Sequence, residues 1–231
     1  MKKEIEAEQK PCSAISSRIG INAISGRGQA ESSFRMTRHT TMKREATVRI
    51  IDFPAGDANV VRQAAELLFE GFREHWPDAW PDMDAALEEV RSSLVADRIN
   101  RISVDDNGVV LGWIGAIRQY NGNTWELHPL VVRPDHQGHG IGRTLVTDLE
   151  AHIRERGGIT IYLGTDDEDG MTSLANRDLY PDVLKHVLDI RNLRRHPYTF
   201  YQKLGYSIVG IIPDANGVGK PDILMAKRIG G

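Results

Sequence analysis

The glycine-rich turn of this chain reads Gln137-Gly138-His139-Gly140-Ile141-Gly142 and connects a predicted strand ending at Val132 to a predicted helix over 142–156. Alternating glycines remove the Cβ atoms where the backbone must curl tightly, so several N–H groups can point at one spot. The start of the helix adds a partial positive charge there. The pattern therefore predicts a binding site for a pyrophosphate. A tight turn that needs glycine only for its conformation is the simpler alternative.

Two common phosphate-binding motifs do not fit this turn. A Walker loop ends in Gly-Lys-Ser/Thr, and no such ending follows the glycines. A Rossmann turn has the spacing Gly-x-Gly-x-x-Gly, but the residue after Gly142 is Arg143. The turn therefore belongs to another class of phosphate site.

The composition is that of an ordinary globular protein, with 231 residues, 40% hydrophobic and 26% charged. It excludes collagen-like, wholly disordered and disulfide-stapled chains. No segment approaches the roughly 20 apolar residues of a membrane helix, so we expect no membrane partner. The single cysteine, Cys12, cannot form an internal disulfide, and we expect a cytoplasmic protein. The net charge of −3 argues against a general nucleic-acid binder.

The first 41 residues differ from the rest of the chain. They carry seven Lys/Arg and four Asp/Glu, and of the totals of 29 and 32 this leaves 22 basic and 28 acidic groups for residues 42–231. We predict a disordered extension over 1–41 and one folded domain over 42–231; a short arm that packs on a partner subunit is the alternative. Cys12 lies in the extension, which excludes a cysteine nucleophile in the domain. The acidic domain favours cationic partners.

Hydrophobic spacing predicts alternating strands and helices, beginning as an antiparallel meander and continuing as a strand–helix–strand crossover. The fold class is therefore α/β, a single domain with a mixed, mostly antiparallel central sheet and helices on both faces. The predicted strands are 47–51, 100–105, 109–120, 125–132, 159–164, 207–212 and 223–227, and the predicted helices are 59–72, 82–94, 142–156, 182–193 and 197–205.

The turn also matches the Gln/Arg-x-x-Gly-x-Gly/Ala signature of the GCN5-related N-acetyltransferases (GNAT), and the order of elements resembles that fold. In that family the amides of the turn hold the pyrophosphate of acetyl-CoA. The resemblance implies acetyl-CoA as cosubstrate and no metal. It places the cofactor contacts at Leu130, Val131, Val132, Gln137, Gly138, His139, Gly140, Ile141, Gly142 and Arg143.

Further segments resemble one branch of the family, the dimeric chromosomal aminoglycoside 6'-N-acetyltransferases. They cover residues 125–132, 157–167, 196–206 and 213–223. The resemblance implies direct transfer of acetyl to the 6'-amino group of an aminoglycoside within a ternary complex, a role in antibiotic resistance, and a homodimer.

Residues for acetyl transfer lie on the strand that leads to the turn and on the last helix. Alternation places Glu126, His128 and Leu130 on one face of the strand, unless a bulge intervenes. We expect Glu126 to accept the proton of the attacking amine, a role that the resemblance supports, and His128 to position water or substrate. By resemblance the backbone N–H of Leu130 meets the thioester oxygen, and Tyr201 is the general acid. The alternatives are an ion-paired surface Glu126, a structural His128 and a core Tyr201.

Two segments are candidate walls for a cationic acceptor. The acidic run Asp166, Asp167, Glu168 and Asp169 follows a strand, and four acids together would attract a polycation. Trp76 and Asp78 lie near Trp80 in the break between the first two helices, where aromatic faces could stack on sugars or cations. A solvated capping loop and simple packing, respectively, are the alternatives.

One position departs from the family pattern. Seven residues before Tyr201 the family often has an asparagine that contacts the pantetheine arm, whereas this chain has Arg194. The neighbouring Asn192 does not fit that spacing, so the contact stays unassigned.

Two other functions remain open at this point. One is a GNAT enzyme that acetylates a protein N-terminus, a lysine or a polyamine. The other is an acyl-CoA-binding module without catalysis, against which the presence of both Glu126 and Tyr201 argues.

Overall fold

A central sheet organises the protein, whose computed structural model describes residues 19–20 and 48–231. The strands are β1 (Ile19–Gly20), β2 (Arg49–Asp52), β3 (Arg98–Val104), β4 (Val110–Gln119), β5 (Thr124–Val132), β6 (Thr160–Asp166), β7 (Ser207–Ile212) and β8 (Asp222–Arg228). Their order across the sheet is β2-β3-β4-β5-β6-β8-β7, and β1 pairs separately with β5. Among the described strands from β2 to β8, β5 and β6 are the one parallel pair, and the other neighbours run antiparallel. The predicted mixed, mostly antiparallel sheet is confirmed.

The helices form a layer on each face of the sheet, as predicted, and each layer encloses a hydrophobic core. The helices are α1 (Ala58–Phe72), α2 (Met83–Ser93), α3 (Ile141–Glu155), α4 (Val183–Leu188) and α5 (Tyr198–Gln202). Side chains of α1 and α2 pack with Trp113 and Val131 on one face. Side chains of α3 and α5 pack with Leu127 and Leu130 on the other. No helix in the described ranges has both the length and the apolar character needed to cross a bilayer.

Carboxylates at the helix starts explain why α1 and α2 begin where they do. Asp57 accepts hydrogen bonds from the N–H groups of Asn59 at 2.9 Å and Val60 at 3.3 Å. Asp82 accepts one from the N–H of Ala85 at 2.8 Å. Each cap satisfies donors that have no partner inside the helix.

Several elements differ in length from their sequence predictions, and α5, predicted over 197–205, spans only Tyr198–Gln202. The helix predicted over 182–193 ends at Leu188, because the chain beyond it forms backbone bonds with the segment after β6, such as Leu193 N–H to Met171 O at 2.8 Å. Strand β6 extends two residues beyond the predicted end, since Asp166 still pairs with Asp222 on β8. The prediction for residues 1–41 falls outside the described residues, except for β1, and remains a prediction.

A bulge in β5 changes which side chains share a face. Ala116 of β4 pairs with Leu127 and Ile114 pairs with Leu130, so one residue of β4 faces two of β5. That residue is Gly115, where a Cβ atom would lie only 2.5 Å from the carbonyl oxygen of His128. The backbone therefore comes too close here for any side chain.

The bulge moves Leu130 to the face opposite Glu126 and His128. The Leu130 side chain joins Leu127 in the core beneath α3, while His128 contacts α2. The exception that the sequence analysis allowed for a bulge therefore applies, and the three side chains do not share one face. The role expected of Leu130 is unaffected, because it uses the backbone N–H.

Strands β5 and β6 part soon after they meet. They pair only between Thr124–Glu126 and Thr160–Tyr162, after which β6 continues along β8. We call the opening that follows the splay. On its β5 side, Leu130 and Val131 pair with Ile19 and Gly20 of β1.

Candidate active site

A cavity of about 770 Å³ lies beside the glycine-rich turn. The turn and the first residues of α3 form one wall, and the segment leading into α5 forms the other. Its lining comprises Val132, His136, Gln137, Gly138, Gly140, Ile141, Gly142, Arg143, Asn192, Leu193, Arg195, His196, Pro197, Thr199, Phe200 and Lys203.

The glycines of the turn leave an open space against the start of α3. Gly138 and Gly140 have φ angles of 77° and 88°, which residues other than glycine rarely adopt. A Cβ atom at either position would meet no atom within 4 Å. Gly140 is also the N-cap of α3 and provides no side chain to cap it. Uncapped N–H groups facing open space fit the predicted pyrophosphate.

Gln137 attaches the turn to the end of β5. Its Nε2 donates to the carbonyl oxygen of Val132 at 3.0 Å, and the residue is only 6% exposed. Its Oε1 is buried and has no hydrogen-bond partner among the described residues. The side chain thus holds the turn in place and keeps an acceptor atom at the cavity.

Basic side chains surround the cavity and complement a polyanion. Arg143 was predicted to contact the cofactor, and Arg195, Lys203 and His136 join it in the lining. The sequence reasoning missed these three, although the adjacent Arg194-Arg195 pair before α5 was a visible signal. Their charges suit the phosphates of a coenzyme A molecule. His139 is exposed and does not line the cavity.

Asn192 lines the cavity, whereas Arg194 turns away from it. Asn192 accepts a hydrogen bond from the N–H of His196 at 2.8 Å and donates to the carbonyl oxygen of the same residue at 2.8 Å. Arg194 instead donates to the carbonyl oxygens of Asp169 and Gly170. The family spacing therefore selects Arg194, which binds the loop after β6, whereas Asn192, which does not fit that spacing, lines the cavity.

Glu126 lies where β5 and β6 begin to part, opposite Tyr162 in the strand pairing. Tyr162 Oη donates to its Oε2 at 3.0 Å, and Gln119 Nε2 donates to the same oxygen at 3.4 Å. Its Oε1 accepts no hydrogen bond from the described residues. A half-buried carboxylate fixed through one oxygen leaves the other available for a proton.

His128 is buried, at 4% exposure, next to the bulge. Its Nε2 lies 3.4 Å from Glu89 Oε1 on α2, and its ring lies beside Trp80 with centroids 6.4 Å apart. Burial raises the pKa of Glu89, but the hydrogen bond and charge of His128, together with the charge of Arg98, outweigh it and hold that pKa below its ordinary value. No motif or spacing in the sequence pointed to Glu89.

Tyr201 lies on α5 inside the core beneath α3. It is 0% exposed, and its Oη has no hydrogen-bond partner among the described residues. Burial raises the pKa of Tyr201 well above its ordinary value, so the phenol stays protonated. The preceding residue, Phe200, lines the cavity, while Tyr201 does not. The core position predicted as its alternative is therefore observed, and a proton-donor role remains a prediction.

The acidic run after β6 divides into buried and exposed members. Asp166 and Asp167 are almost fully buried. Asp167 accepts hydrogen bonds from the N–H groups of Met171 at 2.6 Å and Thr172 at 2.8 Å, and Asp166 accepts one from Asn216 Nδ2 at 2.5 Å. These two carboxylates organise the loop, which is the capping role considered above.

Asp169 joins the two candidate acceptor walls. Its side chain is 42% exposed, and its Oδ2 lies 2.7 Å from Nδ1 of His75, the residue before Trp76. Trp76 is itself buried and packs on Phe72, with centroids 5.8 Å apart. Asp78 is exposed. The structure thus brings the two walls together, but it uses the Trp76 ring for packing.

Within residues 19–20 and 48–231, no group of three or more His, Cys, Asp or Glu side chains could hold a metal ion.

Known proteins show the same architecture. Residues 61–179 match the acetyltransferase (GNAT) family. A crystal structure of an aminoglycoside 6'-N-acetyltransferase complexed with coenzyme A is 46% identical, with a TM-score of 0.72. The aminoglycoside 6'-N-acetyltransferase from Enterococcus faecium is 45% identical, with a TM-score of 0.70, and an aminoglycoside 6'-acetyltransferase type Ii is 40% identical, with a TM-score of 0.60. Each match covers 78% of this chain and 97% of the other.

No curated protein matches the sequence. Three observations indicate the same family. They are the family match, the identities of 40–46%, and the basic cavity at the uncapped start of α3. The chain therefore belongs to the GCN5-related N-acetyltransferase family.

Proposed function

We propose that this protein transfers the acetyl group of acetyl-CoA to the 6'-amino group of aminoglycosides, by direct attack in a ternary complex. The observation that carries the proposal is the site geometry: a basic cavity at the uncapped start of α3 together with the carboxylate of Glu126 at the splay. The substrate class is supported by the three similar structures, which are described as aminoglycoside acetyltransferases.

Acetyl-CoA supplies an activated thioester, and the chain's own residues bind it and handle the protons. The turn and its basic neighbours fit the pyrophosphate. Glu126 Oε1 accepts the proton that the ammonium group of the acceptor must lose. The backbone N–H of Leu130 donates to the thioester oxygen as negative charge develops on it. Tyr201, kept protonated by burial, is the candidate donor to the departing thiolate.

The acceptor is a polycation, and its approach is governed by the acidic surface near the splay. Asp169 and Asp78 are the exposed carboxylates of the two walls. Asp166 and Asp167 act indirectly, since they hold the loop that presents Asp169. The contact between His75 and Asp169 joins the two walls on this surface.

A thiol-release assay with four acceptors tests the proposal. The panel contains kanamycin, its 6'-hydroxyl analogue, spermidine and a lysine-rich peptide. Turnover with kanamycin but not with the 6'-hydroxyl analogue is the expected result and fixes the position of transfer. Turnover only with spermidine or peptide would keep the family and reject the antibiotic. No turnover despite tight acetyl-CoA binding would favour a binding module.

The proposal includes a cytoplasmic homodimer that confers resistance. Exposed apolar side chains lie on α4 and on the edge strand β7, two elements that contact each other. They include Leu184 and Leu188 of α4 and Val209 and Ile212 of β7, which are 49–85% exposed. Exposed apolar side chains grouped on neighbouring elements are typical of a subunit interface. Sedimentation velocity tests the dimer, and a shift to monomers in Leu188→Asp would support this surface.

A further inference from the structure

His196 is a buried histidine that the mechanism above does not use. It belongs to the lining of the cofactor cavity, in the segment that leads into α5. Burying an imidazole is costly unless its ring nitrogens find hydrogen-bond partners. Both nitrogens of His196 have a partner, and the two partners lie on different elements of the fold.

The ring of His196 joins the start of α5 to the end of β6. Its Nδ1 lies 3.2 Å from the backbone nitrogen of Tyr198, and its Nε2 lies 3.0 Å from the carbonyl oxygen of Asp166. A backbone N–H can only donate and a carbonyl oxygen can only accept. Nδ1 is therefore the acceptor, and Nε2 carries the proton. Burial holds the pKa of His196 below its ordinary value against the opposing charge of Asp167 and the carbonyl of Asp166, which favours this neutral ring.

Asn192 fixes the backbone from which the ring projects. Its side chain bonds to both the N–H and the carbonyl oxygen of His196, each at 2.8 Å. Asn192 is in turn bridged to Thr172 in the loop after β6. The ring and the backbone of His196 are thus both connected to β6 or to the loop that continues it.

The two walls of the cavity stand on opposite sides of the splay. Helix α3, which follows the glycine turn, packs on β3, β4 and β5, whereas α5 contacts β8. The pairing of β5 with β6 ends at Glu126 and Tyr162, well before the glycine turn. The wall on the α5 side therefore needs its own attachment to β6 if it is to stay at a fixed distance from the turn.

We infer that His196 is a positioning residue for acetyl-CoA, whose ring fastens the wall before α5 to the end of β6 and so sets the width of the cofactor cavity. The inference rests on the proposed function for the identity of the ligand. Both ring nitrogens are engaged within the protein, so the ring acts through the wall and not by a polar contact with the cofactor.

Three substitutions separate the two bonds of the ring. In His196→Asn the side-chain oxygen can still accept from the Tyr198 N–H, but the side chain is too short to reach the Asp166 carbonyl. His196→Gln keeps a donor at the reach of Nε2, and His196→Leu keeps neither bond. Ile102→Val is the control for lost stability, because Ile102 is buried in the core beneath α1 and α2, on the other face of the sheet.

Calorimetric titration with coenzyme A measures the Kd without turnover, at a temperature where circular dichroism shows the variants folded. We expect the Kd to rise about tenfold in His196→Asn and in His196→Leu. His196→Gln should stay within about threefold of the parent, and Ile102→Val should match it. Parent-like affinity in His196→Asn, or no recovery in His196→Gln relative to His196→Asn, would overturn the inference. This comparison decides even if His196→Leu fails to fold.

The ring nitrogens of His196 give a readout independent of cofactor binding. Long-range proton–nitrogen NMR correlations of the 15N-histidine-labelled protein report which nitrogen carries the proton, and His196→Gln identifies the signals by their loss. The expected result is a neutral ring with the proton on Nε2. An Nδ1–H tautomer or a charged ring at neutral pH would overturn the inference, because the bond to one of the two elements would then be missing.

The two proposals fail in different ways. If the affinity for coenzyme A depends on His196 as expected but no aminoglycoside is acetylated, the substrate is wrong and the positioning of the wall stands. If kanamycin is acetylated and His196→Asn binds coenzyme A as the parent does, the function stands and His196 is not a positioning residue.

Discussion

Replacing Tyr201 by phenylalanine should make the protein more stable and slower at the same time. The phenol is 0% exposed, and its Oη has no hydrogen-bond partner among the described residues. In the unfolded chain the same hydroxyl is hydrated. The free protein therefore bears a desolvation cost at this position that phenylalanine, with the same ring, does not.

The magnitude follows from that burial. An unsatisfied buried hydroxyl costs about 1–3 kcal/mol, so Tyr201→Phe should raise the free energy of unfolding by about 1 kcal/mol. For a domain of this size the corresponding rise in Tm is roughly 2–4 °C. If the phenol protonates the departing thiolate, kcat should fall by about 100-fold, since general acids contribute at least that much. The affinity for acetyl-CoA should hardly change.

Urea unfolding and thiol release measure the two effects on the same preparation. Tyr206→Phe is the matched control, because Tyr206 packs edge-on against Tyr201 with centroids 5.5 Å apart and has no assigned step. That control should keep the parent kcat. Parent-like turnover in Tyr201→Phe would refute the proton-donor role. A loss of stability would show that the hydroxyl makes a bond in the fold, and the reasoning from desolvation would fail.

Three further predictions concern the turn, a buried histidine and the first strand. Gly140→Ala should raise the KM for acetyl-CoA at least about tenfold. Gly108 is the control position, because it has a similar positive φ and equally open surroundings. Gly108→Ala should cause a similar strain of about 1 kcal/mol and leave the KM unchanged. Burial lowers the pKa of His196 against the opposing influence of Asp167. The free energy of unfolding should therefore fall as the pH drops below the ordinary value of 6.5 and level off below the folded pKa. Urea titrations should show this slope flattened in His196→Asn but not in His139→Asn. Strand β1 pairs with Leu130, the residue whose N–H is proposed to bind the thioester oxygen of acetyl-CoA. Ile19→Pro removes an N–H from β1 and should therefore lower the KM for acetyl-CoA in the full chain. An unchanged KM would contradict this.

Most of the fold could be predicted because periodicity and turn chemistry agree over long stretches. Helix α1 and strand β7 were predicted within one residue of their bounds. The short α4 could not be, since its end is set by backbone bonds to a segment about 20 residues earlier in the chain. Local propensity carries no trace of such a contact.

The site shows the same division. The glycine turn could be predicted because positive φ angles strongly favour glycine, so a backbone constraint appears directly in the sequence. The bulge at Gly115 could not, since a single glycine inside an apolar strand has several explanations. The contacts of Glu89 with His128 and of His75 with Asp169 join residues 39 and 94 positions apart, and no spacing rule reaches that far.

The short pairing between β5 and β6 divides the sheet into two plates, by which we mean two groups of paired strands. Strands β2 to β5 form one plate, and β6, β8 and β7 form the other. Among the described strands, the plates are paired between Thr124–Glu126 and Thr160–Tyr162. Beyond that pairing, a molecule bound in the splay contacts both plates and connects them. Acetyl-CoA would therefore slow amide hydrogen exchange across the sheet and make the two plates melt together, so that the substrate of the reaction is also a part of the scaffold.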